Sequence, residues 1–220
     1  MLTSDAMALE AGVVVVAAGE GHRFGGPKAF VDLEGASLLE RAAALFVSFR
    51  DRVAVLRRED LPRARLPGWK LVAGGARRRD SVANGVAALD PRTEVVLLHD
   101  VARPLASAAL VERVLAAVAL HPAVVPAVPI PDTVKRVSGE TVVETLDRAS
   151  LVAVQTPQAF RVDLLRRALG RDDGDATDEA TLVERLREPV FTVAGDPLNL
   201  KVTTPRELEL LRAFLRAGIR

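Results

Sequence analysis

Val13-Val-Val-Val16-Ala-Ala-Gly19-Glu-Gly21-His-Arg23-Phe-Gly25-Gly26-Pro-Lys28 runs an apolar segment straight into a glycine-rich, cationic loop. Four consecutive β-branched residues suit a strand covered on both faces, as in a parallel sheet sandwiched between helices. Gly19, Gly21, Gly25 and Gly26 let the backbone turn sharply and approach a polyphosphate, so that amide N–H groups can cradle it. Arg23 and Lys28 add fixed positive charge. The pattern suggests a nucleoside triphosphate site, with a plain tight turn as the bland alternative.

Two better-known glycine loops fit less well. A Walker A loop places Lys-Ser or Lys-Thr directly after its last glycine, whereas Gly26 is followed by Pro27, Lys28 and Ala29. A dinucleotide fingerprint needs Gly-x-Gly-x-x-Gly and an acidic residue closing the second strand. Here the glycines stand at 19, 21 and 25, and the next strand, near Arg52 to Leu56, runs into Arg57 and Arg58.

Working outward, strands and helices alternate. Ser37-Leu-Leu-Glu40 is a capping box opening a helix to about Phe49, and Thr204-Pro-Arg-Glu207 is a second one, with proline at the first helical position. Trp69 to Val72 reads as a strand leading to Gly74-Gly75, followed by a helix from about Ser81 to Leu89. Val95 to Leu98 is another doubly buried strand, Ser107 to Ala119 a helix, and Ala123 to Val128 a strand. The fold expected is α/β, a doubly wound, Rossmann-like and mostly parallel sheet. Ligands of such sheets bind beyond the carboxyl ends of the strands, where the loops 19–28, 74–81 and 100–104 can converge.

The segment 130–150 breaks the alternation. Asp132 to Val137 and Thr141 to Leu146 read as two strands joined by a glycine turn, a hairpin that needs a surface to pack on. It is either a dimer arm or a flap folded onto its own domain. The remainder of 1–220 is expected to form one domain, since 220 residues at 49% hydrophobic can bury a sizeable core. Arg171 to Asp175 reads as an exposed turn and Met1 to Ala8 as a loose tail, with Met7 an alternative start.

A net charge of +1 gives no polyanion signal, so nucleic acid and membrane surfaces are not expected partners. The absence of cysteine excludes disulfides and thiolate metal sites, and three scattered histidines argue against a zinc centre. With no basic region before an apolar run, neither a signal peptide nor a membrane span is read, and a cytoplasmic setting is expected. Only Lys28, Lys70, Lys135 and Lys201 among 30 basic residues are lysines, and the amides are confined to Asn84, Asn199, Gln155 and Gln158. Most of these rare residues fall in segments that read as site loops.

An ordered set of motifs then resembles a known family, 2-C-methyl-D-erythritol 4-phosphate cytidylyltransferase. They are Ala17-Ala-Gly-Glu-Gly-His-Arg23, Pro27-Lys28, Gly74-Gly75 through Arg78 to Ser81-Val82, His99-Asp-Val-Ala-Arg-Pro104, Asp132-Thr-Val-Lys135, Asp147-Arg148, Gln155-Thr-Pro-Gln158, Thr177-Asp-Glu-Ala180 and Asn199-Leu-Lys-Val-Thr203. The resemblance implies transfer of CMP from CTP to a polyol phosphate, with Mg²⁺ as cofactor. It implies that Arg23 and Lys28 neutralise charge on the triphosphate, and that Ala17, Ala18, Gly19, Glu20, Gly21, Gly74, Gly75, Arg78, Ser81 and Val101 bind the nucleotide. Asp100 would sit near the metal or the substrate hydroxyls, with Arg103 orienting it. The hairpin would dimerise and send Thr133 and Arg148 into the neighbouring site, where Thr177 and Lys201 complete the phosphate pocket; Arg148 and Lys201 join Arg23 and Lys28 as catalytic residues. Gln155 and Gln158 would shape their loop. A ribitol 5-phosphate cytidylyltransferase shares most of these motifs, a nucleotide-binding module without turnover is a second alternative, and a Rossmann-type dehydrogenase a third.

Overall fold

The valines at the start of the chain alternate between two cores: Val13 and Val15 pack into one and Val14 and Val16 into the other. That division requires helices on both faces of the strand, and the computed structural model, which describes residues 9–171, 174, 176 and 178–219, provides them. Met1 to Ala8, most of the 171–175 turn, and Thr177 lie outside the described residues.

In chain order the elements are β1 (Ala11–Ala17), β2 (Asp32–Leu33), β3 (Ala36–Ser37), α1 (Leu38–Ala44), β4 (Asp51–Leu56), β5 (Lys70–Ala73), α2 (Arg78–Ala87), β6 (Val95–Asp100), α3 (Ala108–Val118), β7 (Ala123–Pro129), β8 (Lys135–Ser138), β9 (Thr141–Thr145), β10 (Val152–Val154), β11 (Gln158–Arg161), α4 (Val162–Leu169), α5 (Glu179–Arg185), β12 (Phe191–Ala194) and α6 (Pro205–Arg216). The main sheet has eight strands in the order β10-β7-β11-β6-β1-β4-β5, with β12 also paired to β7. β1 pairs in parallel with β4 on one side and β6 on the other. The strand order therefore reverses between β1 and β6, the place where such sheets leave a crevice. Helices α1, α3 and α6 cover one face through residues such as Leu39, Val114 and Leu211. Helices α2, α4 and α5 cover the other through Val82, Leu165 and Val183.

Both capping boxes are present as read: Glu40 Oε2 accepts the Ser37 amide at 2.7 Å, and Glu207 Oε2 accepts the Thr204 amide at 2.6 Å. Three readings change. Helix α1 stops at Ala44 rather than near Phe49; the chain tightens into turns, Phe46 N to Ala43 O and Phe49 N to Phe46 O. Those turns bury Phe46 fully while leaving Val47 66% exposed. Helix α2 starts at Arg78, three residues before Ser81, because Asp80 caps it from within by accepting the Arg77 amide at 3.1 Å. The Gln155 to Gln158 segment is not all loop: β11 begins at Gln158 and lies antiparallel between β6 and β7.

The hairpin forms as read, with β8 and β9 antiparallel around Gly139 at φ 59°. Every residue of both strands is exposed, including Val137, Val142 and Val143. A flap folded onto its own domain is thus not what the structure has. No helix among the described residues is long and apolar enough to cross a membrane.

Helix α2 carries the Gly75 to Ser81 loop into place by lying close on the sheet. A Cβ at Gly85 would stand 2.5 Å from Val14 Cγ1 and 2.8 Å from Val55 Cγ2, side chains too short and stiff to yield. Gly85→Val is expected to lower stability by about 3 kcal/mol in urea denaturation, since valine brings little helix propensity to offset the overpacking.

Candidate active site

At the reversal point lies a cavity of about 720 Å³, walled by residues 16–23, 28–29, 75–78, 81, 100–102 and 201. Its floor is the carboxyl ends of β1 and β6, and its sides are the loops that follow β1 and β5. A smaller cavity of about 250 Å³ adjoins it, lined by Arg78, Asp100, Arg103, Val154, Gln155, Thr156, Gln158, Asp178 and Lys201.

The first loop is a compact ring. Gly21, at φ 69°, accepts the amides of Phe24 and Gly26, and a Cβ there would stand 2.1 Å from the Gly26 carbonyl oxygen, so only glycine closes the ring. Ala17, Ala18, Gly19, Glu20, Gly21, Arg23 and Lys28 all line the larger cavity, as expected. Burial pulls the Lys28 ammonium below its usual range, and the neighbouring Lys201 and Arg23 cations push it further. Several cations crowded around a single buried carboxylate are a site preorganised for a polyanion.

On the second loop Gly75 lines the cavity, as does Val101 after β6, while Gly74 sits behind it, its amide bonded to Leu56 O at 2.7 Å. Ser81 is buried and its hydroxyl is already engaged: it accepts the Gly75 amide at 3.1 Å and lies 3.3 Å from Arg77 O. Its place in the structure is therefore to shape the loop from beneath, as well as to line the cavity.

Asp100 stands at the end of β6, 6% exposed, and takes a cation on each oxygen. Arg78 Nη1 donates to Oδ1 at 2.8 Å and Lys201 Nζ to Oδ2 at 2.6 Å. Burial raises its carboxyl, and the Arg78 and Lys201 charges outweigh that and hold it far below the usual carboxylate range. This corrects the expectation that Arg103 orients Asp100. Arg103 instead donates to the carbonyls of Asn199 at 2.6 Å and Val154 at 3.3 Å, and so ties the loop before Lys201 to β10.

At the smaller cavity Gln155 holds its loop to Asp196, and Asn199 adds a tie not read from the sequence. Gln155 Oε1 accepts the Asp196 amide at 3.0 Å and its Nε2 donates to Asp196 O at 2.9 Å, while Asn199 Nδ2 donates to Thr156 O at 2.8 Å. Thr133 and Arg148 are exposed at the base of the arm and line neither cavity of their own chain. Arg148 donates to Pro131 O.

Two residues carry more of the site than their sequence signals suggest. Glu179, 2% exposed, receives Arg78 through two bonds, Nε to Oε1 at 3.1 Å and Nη2 to Oε2 at 3.0 Å. In sequence it reads as an ordinary acidic residue in the first turn of a helix. His99 is buried under the loop, edge-on to Phe46 with ring centroids 5.2 Å apart. Its Nε2 lies 3.1 Å from Arg103 O and its Nδ1 3.2 Å from Thr156 Oγ1, which also accepts the Asp100 amide at 3.1 Å. A neutral ring with its proton on Nε2 satisfies all of these partners. The signal was present in His99 directly preceding Asp100 on an apolar strand.

Among the described residues no group of three or more His, Asp or Glu side chains is placed to hold a metal ion. The crevice is one for an anionic ligand framed by cations, with a single carboxylate at its floor.

The family model of IspD, 2-C-methyl-D-erythritol 4-phosphate cytidylyltransferase, matches residues 11–217. The chain belongs to that family. A cytidylyltransferase of that name in Rhodococcus opacus is 46% identical across 93% of this chain and 95% of its own length. One in Symbiobacterium thermophilum is 40% identical across 94% of both. The crystal structure of the Thermus thermophilus enzyme has a TM-score of 0.82 and 38% identity, covering 94% of this chain and 100% of that one. The α/β sheet described above is thus the fold of the cytidylyltransferase family.

His99 makes the site's stability pH-dependent. Burial lowers its pKa to about 4, below the 6.5 of an unfolded histidine, so its contribution is intact above pH 6.5 and lost as the pH falls to 4. Denaturation midpoints compared between wild type and His99→Gln should show that component, roughly 3 kcal/mol, disappearing in the variant.

Proposed function

We propose that the protein transfers CMP from CTP to 2-C-methyl-D-erythritol 4-phosphate, giving 4-diphosphocytidyl-2-C-methyl-D-erythritol and pyrophosphate for isoprenoid biosynthesis. The observation that carries this reading is the family match over residues 11–217, whose motif loops converge on one crevice. The nucleotide occupies the larger cavity, and the polyol phosphate approaches from the side of the smaller one.

A phosphate oxygen of the acceptor attacks the α-phosphorus of CTP in line; the bond from that phosphorus to the α,β-bridging oxygen breaks, and pyrophosphate leaves with the electron pair. The nucleophile is already an anion, so no proton has to be removed, and the chemistry calls for positioning and charge stabilisation. Arg23 and Lys28 hold the β- and γ-phosphates and meet the charge that grows on the leaving group. Lys201 brings a cation to the junction of the two cavities, where the acceptor phosphate and the α-phosphate must approach each other. Ala17 to Gly21 offer backbone to the triphosphate, and Gly75, Ser81 and Val101 frame the nucleoside. A cavity dense in Arg and Lys, with no thiol in the chain and His99 enclosed beneath the site, suits this chemistry.

Magnesium is commonly held by one or two carboxylates together with substrate phosphates. Asp100 is the carboxylate at the floor of the cavity, and since Arg78 and Lys201 already engage its two oxygens, the ion would be held chiefly by the triphosphate with Asp100 beside it. When bound it would supply charge neutralisation to the triphosphate.

The enzyme is proposed to work as a homodimer in the cytoplasm. The support is the arm: a hairpin with exposed Val137, Val142 and Val143 buries none of them, and Thr133 and Arg148 at its base line neither of the two cavities of the crevice. In an arm-exchanged pair both would reach the partner's acceptor site, where Asp178 lines the smaller cavity of the chain that holds the nucleotide.

Pyrophosphate release from CTP and Mg²⁺ with 2-C-methyl-D-erythritol 4-phosphate, and little with ribitol 5-phosphate, is the expected outcome; preference for the pentitol would change the substrate, and release with neither would favour a binding module. Lys28→Ala is expected to lower kcat by roughly 10²-fold with the fold intact, as judged by circular dichroism. Lys28→Ala and Arg148→Ala should each be strongly impaired alone, and mixing the two should restore part of the activity. No recovery in mixed dimers would remove arm exchange from the reading.

A further inference from the structure

Arg78, Asp100 and Lys201 line both cavities, and they form a continuous chain of contacts. They are the partition between the nucleotide side and the acceptor side of the crevice. One end of that partition poses a physical problem. Arg78 is an arginine on the wall of a cavity suited to a triphosphate, and arginine's planar fork matches phosphate oxygens well. Nothing in its contact with a single Asp100 oxygen would keep it from turning toward such a ligand.

Glu179 supplies the restraint. It is buried at the first position of α5, and its two oxygens engage Nε and Nη2 of Arg78 in parallel, which leaves Nη1 directed at Asp100. The two-point contact fixes the plane of the guanidinium as well as its position. Glu179 is itself held by its helix: Asp178 caps α5 by accepting the Thr181 amide at 3.0 Å, while the other Asp178 oxygen accepts Gln158 Nε2 at 3.1 Å from β11. The restraint is therefore anchored to the sheet.

We propose that Glu179 is a positioning residue for the transfer reaction: its carboxylate keeps Arg78 turned onto Asp100 in the presence of a triphosphate, and so maintains the partition that places the acceptor phosphate. The inference rests on reading the crevice as the site of cytidylyl transfer. Glu179 touches no substrate; it acts through Arg78.

Glu179→Gln keeps the shape, but turns one acceptor into a donor facing Arg78 Nη2. The expected result is a fall of about 10-fold or more in kcat/KM for 2-C-methyl-D-erythritol 4-phosphate, with the KM for CTP changed by less than about 3-fold. Because Glu179 works through Arg78, the double variant Glu179→Gln, Arg78→Gln should be no slower than Arg78→Gln alone. Losses that multiply in the double variant, or reduced thermal stability with unchanged kcat/KM, would overturn the inference. Should the glutamine variant fail to fold, Glu179→Asp, which retains the charge on a shorter stem, is expected to show the same split in smaller measure, and an unchanged split would count against the proposal. A crystal structure of Glu179→Gln soaked with CTP gives a readout that needs no turnover. Arg78 displaced from Asp100 supports the role, and Arg78 still seated on Asp100 removes it. A wild-type protein inactive with CTP and the erythritol phosphate would instead strike the proposed function, and the crystallographic result would still decide for or against Glu179.

Discussion

The buried Asp100 carboxylate is the constraint around which the crevice is organised. A charge taken out of water at the end of a central strand is tolerated only when paired and hydrogen-bonded. Its partners come from 22 residues earlier, Arg78 at the start of α2, and 101 residues later, Lys201 after β12. Satisfying one carboxylate thus brings together the loop after β5, the end of β6 and the last loop of the chain. The Asp100 amide draws in a fourth segment through Thr156. Arg78 in turn needs Glu179, so the network closes with charges balanced in pairs and reaches across to the helix on the far side of the smaller cavity.

Beneath that network the support is neutral. His99 fills its position with both ring nitrogens engaged and its edge against Phe46, joining the apolar core to the loops that carry Asp100 and Arg103. Burial that holds the imidazole uncharged also avoids placing another cation under the cavity floor. Arg23, Lys28 and Lys201 are among the cations that line the larger cavity, and burial together with the charges of Lys201 and Arg23 holds Lys28 below its usual pKa. Electrostatic strain of this kind in the empty crevice is relieved by a polyanion, which is how a preorganised site uses folding energy to favour its ligand.

The arm obeys a different logic. Strands β8 and β9 bond to each other and bury nothing, although they carry valines at exposed positions. Two strands alone in water are marginal, so the hairpin and its neighbouring exposed Val152 and Val154 fit a surface meant to be covered. Proposed arm exchange connects that surface to chemistry, because the same base carries Thr133 and Arg148.

Much of the framework was determined locally. Val13 to Val16 required burial on both faces, the capping boxes at Ser37 and Thr204 set two helix starts, and Gly139 turned the hairpin; each depends on neighbours a few residues away. The convergence of the loops after β1, β5 and β6 also followed, since strand direction in a doubly wound sheet places their ends together. Tertiary structure decided what depends on partners far along the chain. Strand β11 is short, opens with Gln158 and becomes a strand only because β6 and β7 offer bonding edges on either side. Ser81 read as the start of a helix and a nucleotide contact, yet its hydroxyl went to the Gly75 amide once the loop folded over it. Arg103 stood three residues from Asp100, and the carboxylate was instead taken by Arg78 and Lys201, because side-chain reach is set by where the strands end and not by spacing in sequence. Sequence named the residues of the crevice; only packing could say which of them face the cavity and which hold the others in place.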